Sequence, residues 1–274
     1  MYQENILTLN NFRFLKWSLA LILVCIGFYL SDSPQGQAGG GTWLGYTLGT
    51  IGAILIIWLM CFGLRKRAYS ANIGSVKMWL SAHVYLGFSL LIIATLHSGF
   101  HFGINVQTLT YALTVIVIFS GIWGVSLYLS KPAQLHSFLN GKTVEESGEA
   151  LLEIDSQSEN IARQLTPPIQ EIIKASANTK IFTHFWQRYF GKNANCKTAA
   201  ATKKITALYA SSERNSLIEE LYILQLRREL QLNQIRGYLR LKGWNEIWLV
   251  LHVAFSFGLL AALIAHVVAV FFYW

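Results

Sequence analysis

Four histidines, His83, His97, His252 and His266, sit inside two stretches of otherwise apolar sequence. An ionisable side chain is costly at membrane depth and marks a functional site there. Each pair is fourteen residues apart, and at 100° per residue fourteen steps return a helical side chain to within about 40° of its starting direction. Both histidines of a helix therefore face one way, about 21 Å apart along the axis, one toward each edge of the bilayer core. Two imidazoles at one depth on neighbouring helices can each give a nitrogen to an iron, and the gap between the helices can hold a porphyrin. Zinc fits less well, because structural sites take four protein ligands and catalytic sites three, while each layer offers two histidines and no nearby Cys, Asp or Glu. The competing reading is histidines that hydrogen-bond between helices for packing alone.

His101 lies eighteen residues after His83, which is five full helical turns, so direction alone leaves it competing with His97 as the outer ligand. Depth and the matched fourteen-residue spacing favour His97, with His101 as a neighbour of the outer group, close to a propionate. His136 and His184 lack matching partners and read as surface or packing residues. Around the ligands, Gly87, Gly99, Ala261, Ala262 and Ala265 leave room for a flat macrocycle, while Gly121 and Gly124 are close-packing positions. Arg65, Lys66, Arg67 and Lys242 are cations at the inner edge, where they would meet propionates or simply set topology.

The elements that must position these side chains are membrane helices. Of the 274 residues, 53% are hydrophobic and 13% charged, which excludes an ordinary soluble domain. Apolar segments near the ~20 residues a spanning helix needs run over Phe14–Leu30, Trp43–Leu64, Met78–Phe100, Thr108–Leu129 and Ile247–Trp274. The first also resembles a signal-peptide start, with Gln37-Ala38 as a cleavage region, and is read as a retained anchor. Lys and Arg gather before the first span, between the second and third, and between the fourth and fifth; the loops Ser31–Thr42 and His101–Gln107 hold none. The N-terminus and the long insert are thus expected in the cytoplasm and the C-terminus outside, with a prokaryotic inner membrane as the default. Spans three and five then run in the same direction, which pairs His83 with His252 and His97 with His266. Trp244 and Trp248 are expected as the inner aromatic collar, and Phe271-Phe272-Tyr273-Trp274 as the outer one.

The formal charge of +8 follows from those basic loops, so no nucleic-acid partner is expected. Cys25, Cys61 and Cys196 lie far apart without a C-x-x-C, which removes support for a disulfide scaffold, an iron–sulfur site on this chain or covalent haem attachment. There is no nucleotide fingerprint.

The expected organisation is an all-α membrane protein with five transmembrane helices: residues 1–129 hold spans one to four, 130–243 a helical cytoplasmic insert, and 244–274 the fifth span. Within the insert Val144–Leu165 reads as an amphipathic helix broken by Pro167-Pro168, Ile169–Phe190 as a second helix, and Gly191–Ala200 as a loop. Ser211–Lys242 reads as a long helix whose apolar stripe either packs within the insert or docks a cytoplasmic partner.

The third span, with His83-Val84-Tyr85-Leu86-Gly87 and then Leu96-His97-Ser98, resembles the H-x-x-L-G…H helix of the ferric-reductase-like transmembrane domain shared by ferric reductases and NADPH oxidases. The resemblance covers mainly spans three and five. It implies haem ligands on those helices, at His83, His97, His252 and His266, and a cytoplasmic N-terminus. The family continues through a sixth span into a flavin- and nicotinamide-binding dehydrogenase, whereas this sequence ends after the fifth span and carries a long insert the family lacks. Reductase activity within this chain alone is therefore not expected.

The expected function is a two-haem b-type cytochrome passing electrons across the membrane as a subunit of a larger redox complex. A flavin or iron–sulfur protein would dock on the insert, with a c-type cytochrome, a metal ion or oxygen outside. One alternative is a quinol-oxidising or quinone-reducing subunit, with Glu246 and His101 as proton-handling candidates. The other is a cofactor-free membrane anchor for a partner protein.

Overall fold

A computed structural model describes the chain apart from residues 1–4, 34–38, 68–73, 140, 183–184, 191–195, 212–214 and 273–274, and apart from the side chains of 130–138. Gln37-Ala38, His184, Tyr273-Trp274 and the side chain of His136 thus lie outside the described residues. The described chain is all helical: α1 (Leu9–Ser31), α2 (Trp43–Arg67), α3 (Val76–Ser98), α4 (Val106–Phe138), α5 (Val144–Ala162), α6 (Pro167–Ala177), a 3-10 turn (Phe185–Arg188), α7 (Lys197–Ser211) and α8 (Ser216–Phe272). Five of these helices, α1 to α4 and α8, are long and apolar enough to cross a bilayer, and the chain is an integral membrane protein. It divides into two compact units, Met1–Ser126 with Trp248–Trp274, and Leu127–Ile247.

In the membrane unit the expected start of the first span at Phe14 has a backbone cause. Asn10, Asn11 and Phe12 carry positive φ of 49°, 55° and 58°, so right-handed helix is established only after Phe12. Helix α1 packs on α3 through small polar groups: the hydroxyls of Ser18 and Ser89 lie 2.7 Å apart, and Ser18 Oγ donates to the carbonyl of Tyr85 at 2.9 Å. Such residues let helices approach closely where lipid supplies no hydrophobic drive. Cys25, Leu48, Leu55, Ile56, Leu90, Ile93, Leu96, Leu259 and Leu263 form one core, drawn from α1, α2, α3 and α8. Thr110 Oγ1 of α4 donates to the carbonyl of Ala262 on α8 at 3.2 Å.

In the insert unit α5 opens with a capping box in which Thr143 and Glu146 satisfy each other's backbone N–H groups. The Pro167-Pro168 pair starts α6 at its N1 and N2 positions, where a missing N–H costs nothing. The expected second helix, Ile169–Phe190, stops at Ala177. The backbone beyond is held instead by Arg236, which donates to the carbonyls of Lys180 and Ile181 at 3.1 and 2.7 Å. The expected loop Gly191–Ala200 ends early, because α7 already begins at Lys197.

The insert helix expected over Ser211–Lys242 and the fifth span expected over Ile247–Trp274 run together as one helix, and α8 is unbroken for 57 residues from Ser216 to Phe272. Gly243 does not interrupt it. That glycine admits Tyr189 and Arg188 against the helix, since a Cβ there would stand 2.7 Å from Tyr189 Cε1. The apolar stripe of α8 is covered within its own unit, where Leu221 and Leu224 join Ile161, Ala162, Ile169, Ile173 and Ile205 in a core.

Beside that core Arg228, 1% exposed, bonds both carboxylate oxygens of Asp155, Thr198 Oγ1 and the carbonyl of Ala177. Breaking a buried ion pair from one side leaves an uncompensated charge, at a cost of about 3–5 kcal/mol. Asp155→Ala is accordingly expected to destabilise the insert by that order, read as faster proteolysis of residues 144–211 in detergent, whereas the exposed Glu153→Ala leaves the cleavage rate unchanged.

Candidate functional site

The third and fifth spanning helices, α3 and α8, bring the four intramembrane histidines together two by two. The ring centres of His83 and His252 lie 6.4 Å apart at an interplanar angle of 66°, and those of His97 and His266 lie 6.0 Å apart at 75°. Two imidazoles on opposite sides of one first-row metal, with bonds of about 2 Å and each nitrogen about 1.1 Å from its ring centre, have centres about 6 Å apart. The donor sets and spacings therefore fit a pair of bis-histidine metal groups. Among the described residues no group of three or more His, Cys, Asp or Glu comes together, so each layer offers two imidazoles and nothing else of that kind.

The protons of three rings can be assigned from their partners. His83 Nδ1 is 3.1 Å from the carbonyl of Leu59, and His97 Nδ1 is 2.8 Å from the carbonyl of Gly45. A carbonyl only accepts, so both rings donate from Nδ1 and keep the Nε2 lone pair. His252 Nδ1 lies 2.7 Å from Ser120 Oγ, whose own hydrogen goes to the carbonyl of Val117 at 2.7 Å. Ser120 therefore accepts, and His252 too keeps its lone pair on Nε2. A ligating histidine characteristically donates its second ring nitrogen in this manner. The Nδ1 atom of His266 differs: it is buried with no hydrogen-bond partner among the described residues.

Helices α2 and α4 supply these supports. On α2 a glycine permits the approach, since a Cβ at Gly49 would stand 2.7 Å from His97 Cε1, whereas one at Gly121 of α4 would make ordinary contact, 3.6 Å from His252 Cε1. Trp248 stacks along His252 with centres 5.5 Å apart and donates Nε1 to the carbonyl of Ser120 at 2.7 Å. Gly124 makes the room, since a Cβ there would lie 2.0 Å from Trp248 Cζ2. Trp248 is thus turned onto the histidine, and Trp244 packs edge-on to Tyr189 and Phe190 within the insert. Between the layers Leu90, Ile93, Leu259 and Leu263 are buried, an apolar partition.

The other sequence candidates divide. Gly87 faces open space, where an added Cβ would meet nothing within 4 Å; Ala261 and Ala265 are exposed, and Ala262 is buried against Thr110. Gly99 has φ 56° and caps α3, which ends at Ser98. His101 is therefore beyond the helix, exposed, and its direction is not set by the five-turn periodicity. Arg65, Lys66 and Arg67 form the last turn of α2, where cations complement the helix C-terminus; Arg65 also donates to the carbonyl of Gly74 at 2.7 Å. Lys242 is exposed. Glu246 is engaged with Arg188 at 3.3 Å.

Sequence reasoning missed Ser120, Trp248, Gly45 and Gly49 as parts of this site. The G-x-x-x-G spacing of Gly45 and Gly49 was the available signal. No family model, curated protein or solved structure matches the chain.

The crowding at Gly124 is directly testable. Gly124→Ala forces Trp248 from its place, and overpacking of this kind costs about 1–3 kcal/mol; the thermal unfolding midpoint in detergent is expected to fall. Gly63→Ala, where a Cβ meets nothing within 4 Å, leaves that midpoint unchanged or raised.

Proposed function

We propose that the chain is a membrane-bound dihaem b-type cytochrome that carries electrons across the membrane as a subunit of a larger redox complex. The observation that carries this reading is the pair of imidazole couples at 6.4 and 6.0 Å, three of whose four rings are held with the proton on Nδ1. His83 with His252 would hold the inner group, and His97 with His266 the outer. Haem ligated on both faces has no open coordination position and supplies one-electron exchange, not oxygen activation at the metal.

The chain's own residues hold and shield. Leu59, Gly45 and Ser120 fix the tautomer and heading of three ligands, which keeps the Nε2 lone pairs available. Trp248 blocks rotation of His252. Leu90, Ile93, Leu259 and Leu263 keep water from the space between the layers, and the open side of Gly87 leaves room for a macrocycle. Arg65 and Arg67, in the last turn of α2, would supply cations to carboxylate substituents at the inner edge.

The same reading puts the N-terminus and the insert in the cytoplasm and the C-terminus outside, in a prokaryotic inner membrane. A flavin or iron–sulfur protein would dock on the insert, and a c-type cytochrome would meet the outer face. Support comes from the distribution of Lys and Arg and from the resemblance of spans three and five to the ferric-reductase-like domain.

A reduced-minus-oxidised spectrum with haem quantification on the purified protein is expected to give two b haems per chain. His83→Ala or His252→Ala removes one and spares the other; His97→Ala or His266→Ala removes the complementary one. Colourless protein from haem-replete membranes, or loss of both haems from any single substitution, overturns the proposal.

A further inference from the structure

The four histidines are not supported equally, and the difference falls between the layers. In the inner couple both Nδ1 atoms have an acceptor: His83 donates to the carbonyl of Leu59 at 3.1 Å, and His252 donates to Ser120 Oγ at 2.7 Å. In the outer couple His97 has one, the carbonyl of Gly45 at 2.8 Å, but His266 Nδ1 is buried and unpartnered among the described residues. Ser120 is a committed acceptor because its hydroxyl hydrogen is spent on the carbonyl of Val117 at 2.7 Å. Its position is fixed further by the bond from Trp248 Nε1 to its own carbonyl at 2.7 Å. It therefore stands at the one ligand where a side chain, and not a main-chain carbonyl, decides whether the ring has an acceptor.

An acceptor on Nδ1–H draws the proton outward and leaves the imidazole a stronger donor at Nε2. A stronger axial donor stabilises the oxidised, more positive iron over the reduced one, and so lowers the midpoint potential. We infer that Ser120 is a positioning residue that sets the potential of the inner haem: by accepting from His252 it holds that midpoint down, whereas the equivalent outer ligand, His266, lacks this support. The inference rests on the dihaem reading and goes beyond it by naming which side chain differentiates the two groups.

The test is spectroscopic potentiometry on the full-length haem-loaded protein, comparing the parent with Ser120→Ala and Ser120→Thr. The inner midpoint is identified as the one that survives in His97→Ala. Ser120→Ala is expected to raise the inner midpoint and leave the outer in place, with the haem count still two. Ser120→Thr, which keeps a hydroxyl on the same carbon, returns the inner midpoint toward the parent value.

A purely packing role for Ser120 predicts haem loss or a lower unfolding temperature without this selective shift. If Ser120→Ala retains two haems and the inner midpoint stays put, or both midpoints move together, the inference fails while the dihaem reading stands. If Ser120→Ala loses the inner haem, Ser120→Cys supplies a second measurement. A sulfur is a weaker acceptor, and an inner midpoint at or below the parent's in that variant overturns the inference. Parent protein without haem overturns both.

Discussion

An imidazole inside a membrane has two ring nitrogens and no water to satisfy either of them. The structure solves half of that problem by giving Nδ1 a partner on an adjacent helix, the carbonyl of Leu59 for His83, that of Gly45 for His97 and the hydroxyl of Ser120 for His252. Much of the membrane unit follows from this requirement. Helix α2 has to lie close enough to α3 for main-chain carbonyls normally used within the helix to accept a second bond. That closeness is supplied by Gly49 beside His97, where a Cβ would collide with the ring, whereas the missing Cβ of Gly45 admits the backbone of Gly39 and Gly40. Helix α4 meets α8 on the same terms, with Gly124 clearing space for Trp248.

The parts of this arrangement that repeat are legible in the sequence. Fourteen residues between histidines on each of two apolar segments fix a common face and a common separation, because both follow from helix geometry alone. The paired rings at nearly equal centre distances are the structural counterpart of that arithmetic. The supports are not legible, for a physical reason. Two of the three acceptors are backbone carbonyls, which every residue has, so no residue type announces them; only the glycine spacing hints at a close approach. His101 shows the limit of periodicity from the other side. A five-turn spacing has meaning only while the helix lasts, and Gly99 in the left-handed region ends α3 before His101 is reached.

In the insert the sequence pattern reveals helices but misplaces their ends. Pro167-Pro168 reads as a stop, and it is equally a start, because proline fits the first turn of a helix. Gly243, the expected end of the insert, lies within α8: its missing side chain is what lets Tyr189 and Arg188 seat against the helix, which gains that packing in return for the weak propensity of one glycine. The continuity of α8 from Ser216 to Phe272 is hidden for the same reason. The buried Arg228 and its partners Asp155 and Thr198 lie far apart in sequence, and no local pattern joins them.

The tautomers separate what helix packing uses in the inner couple from what it leaves over. A histidine joins two helices when a ring nitrogen bonds a group on a neighbouring helix, and the Nδ1 atoms of His83 and His252 do this. His83 and His252 both have their proton on Nδ1 and have committed it elsewhere, to Leu59 and to Ser120. What remains on each ring is a bare Nε2 lone pair, and two acceptors cannot bond to each other. Each lone pair is free to accept from a further partner. Under the proposed function a haem iron would take both lone pairs, and the 6.4 Å between ring centres is compatible with that. In the outer couple His97 alone has its Nδ1 engaged, and His266 Nδ1 has no hydrogen-bond partner among the described residues.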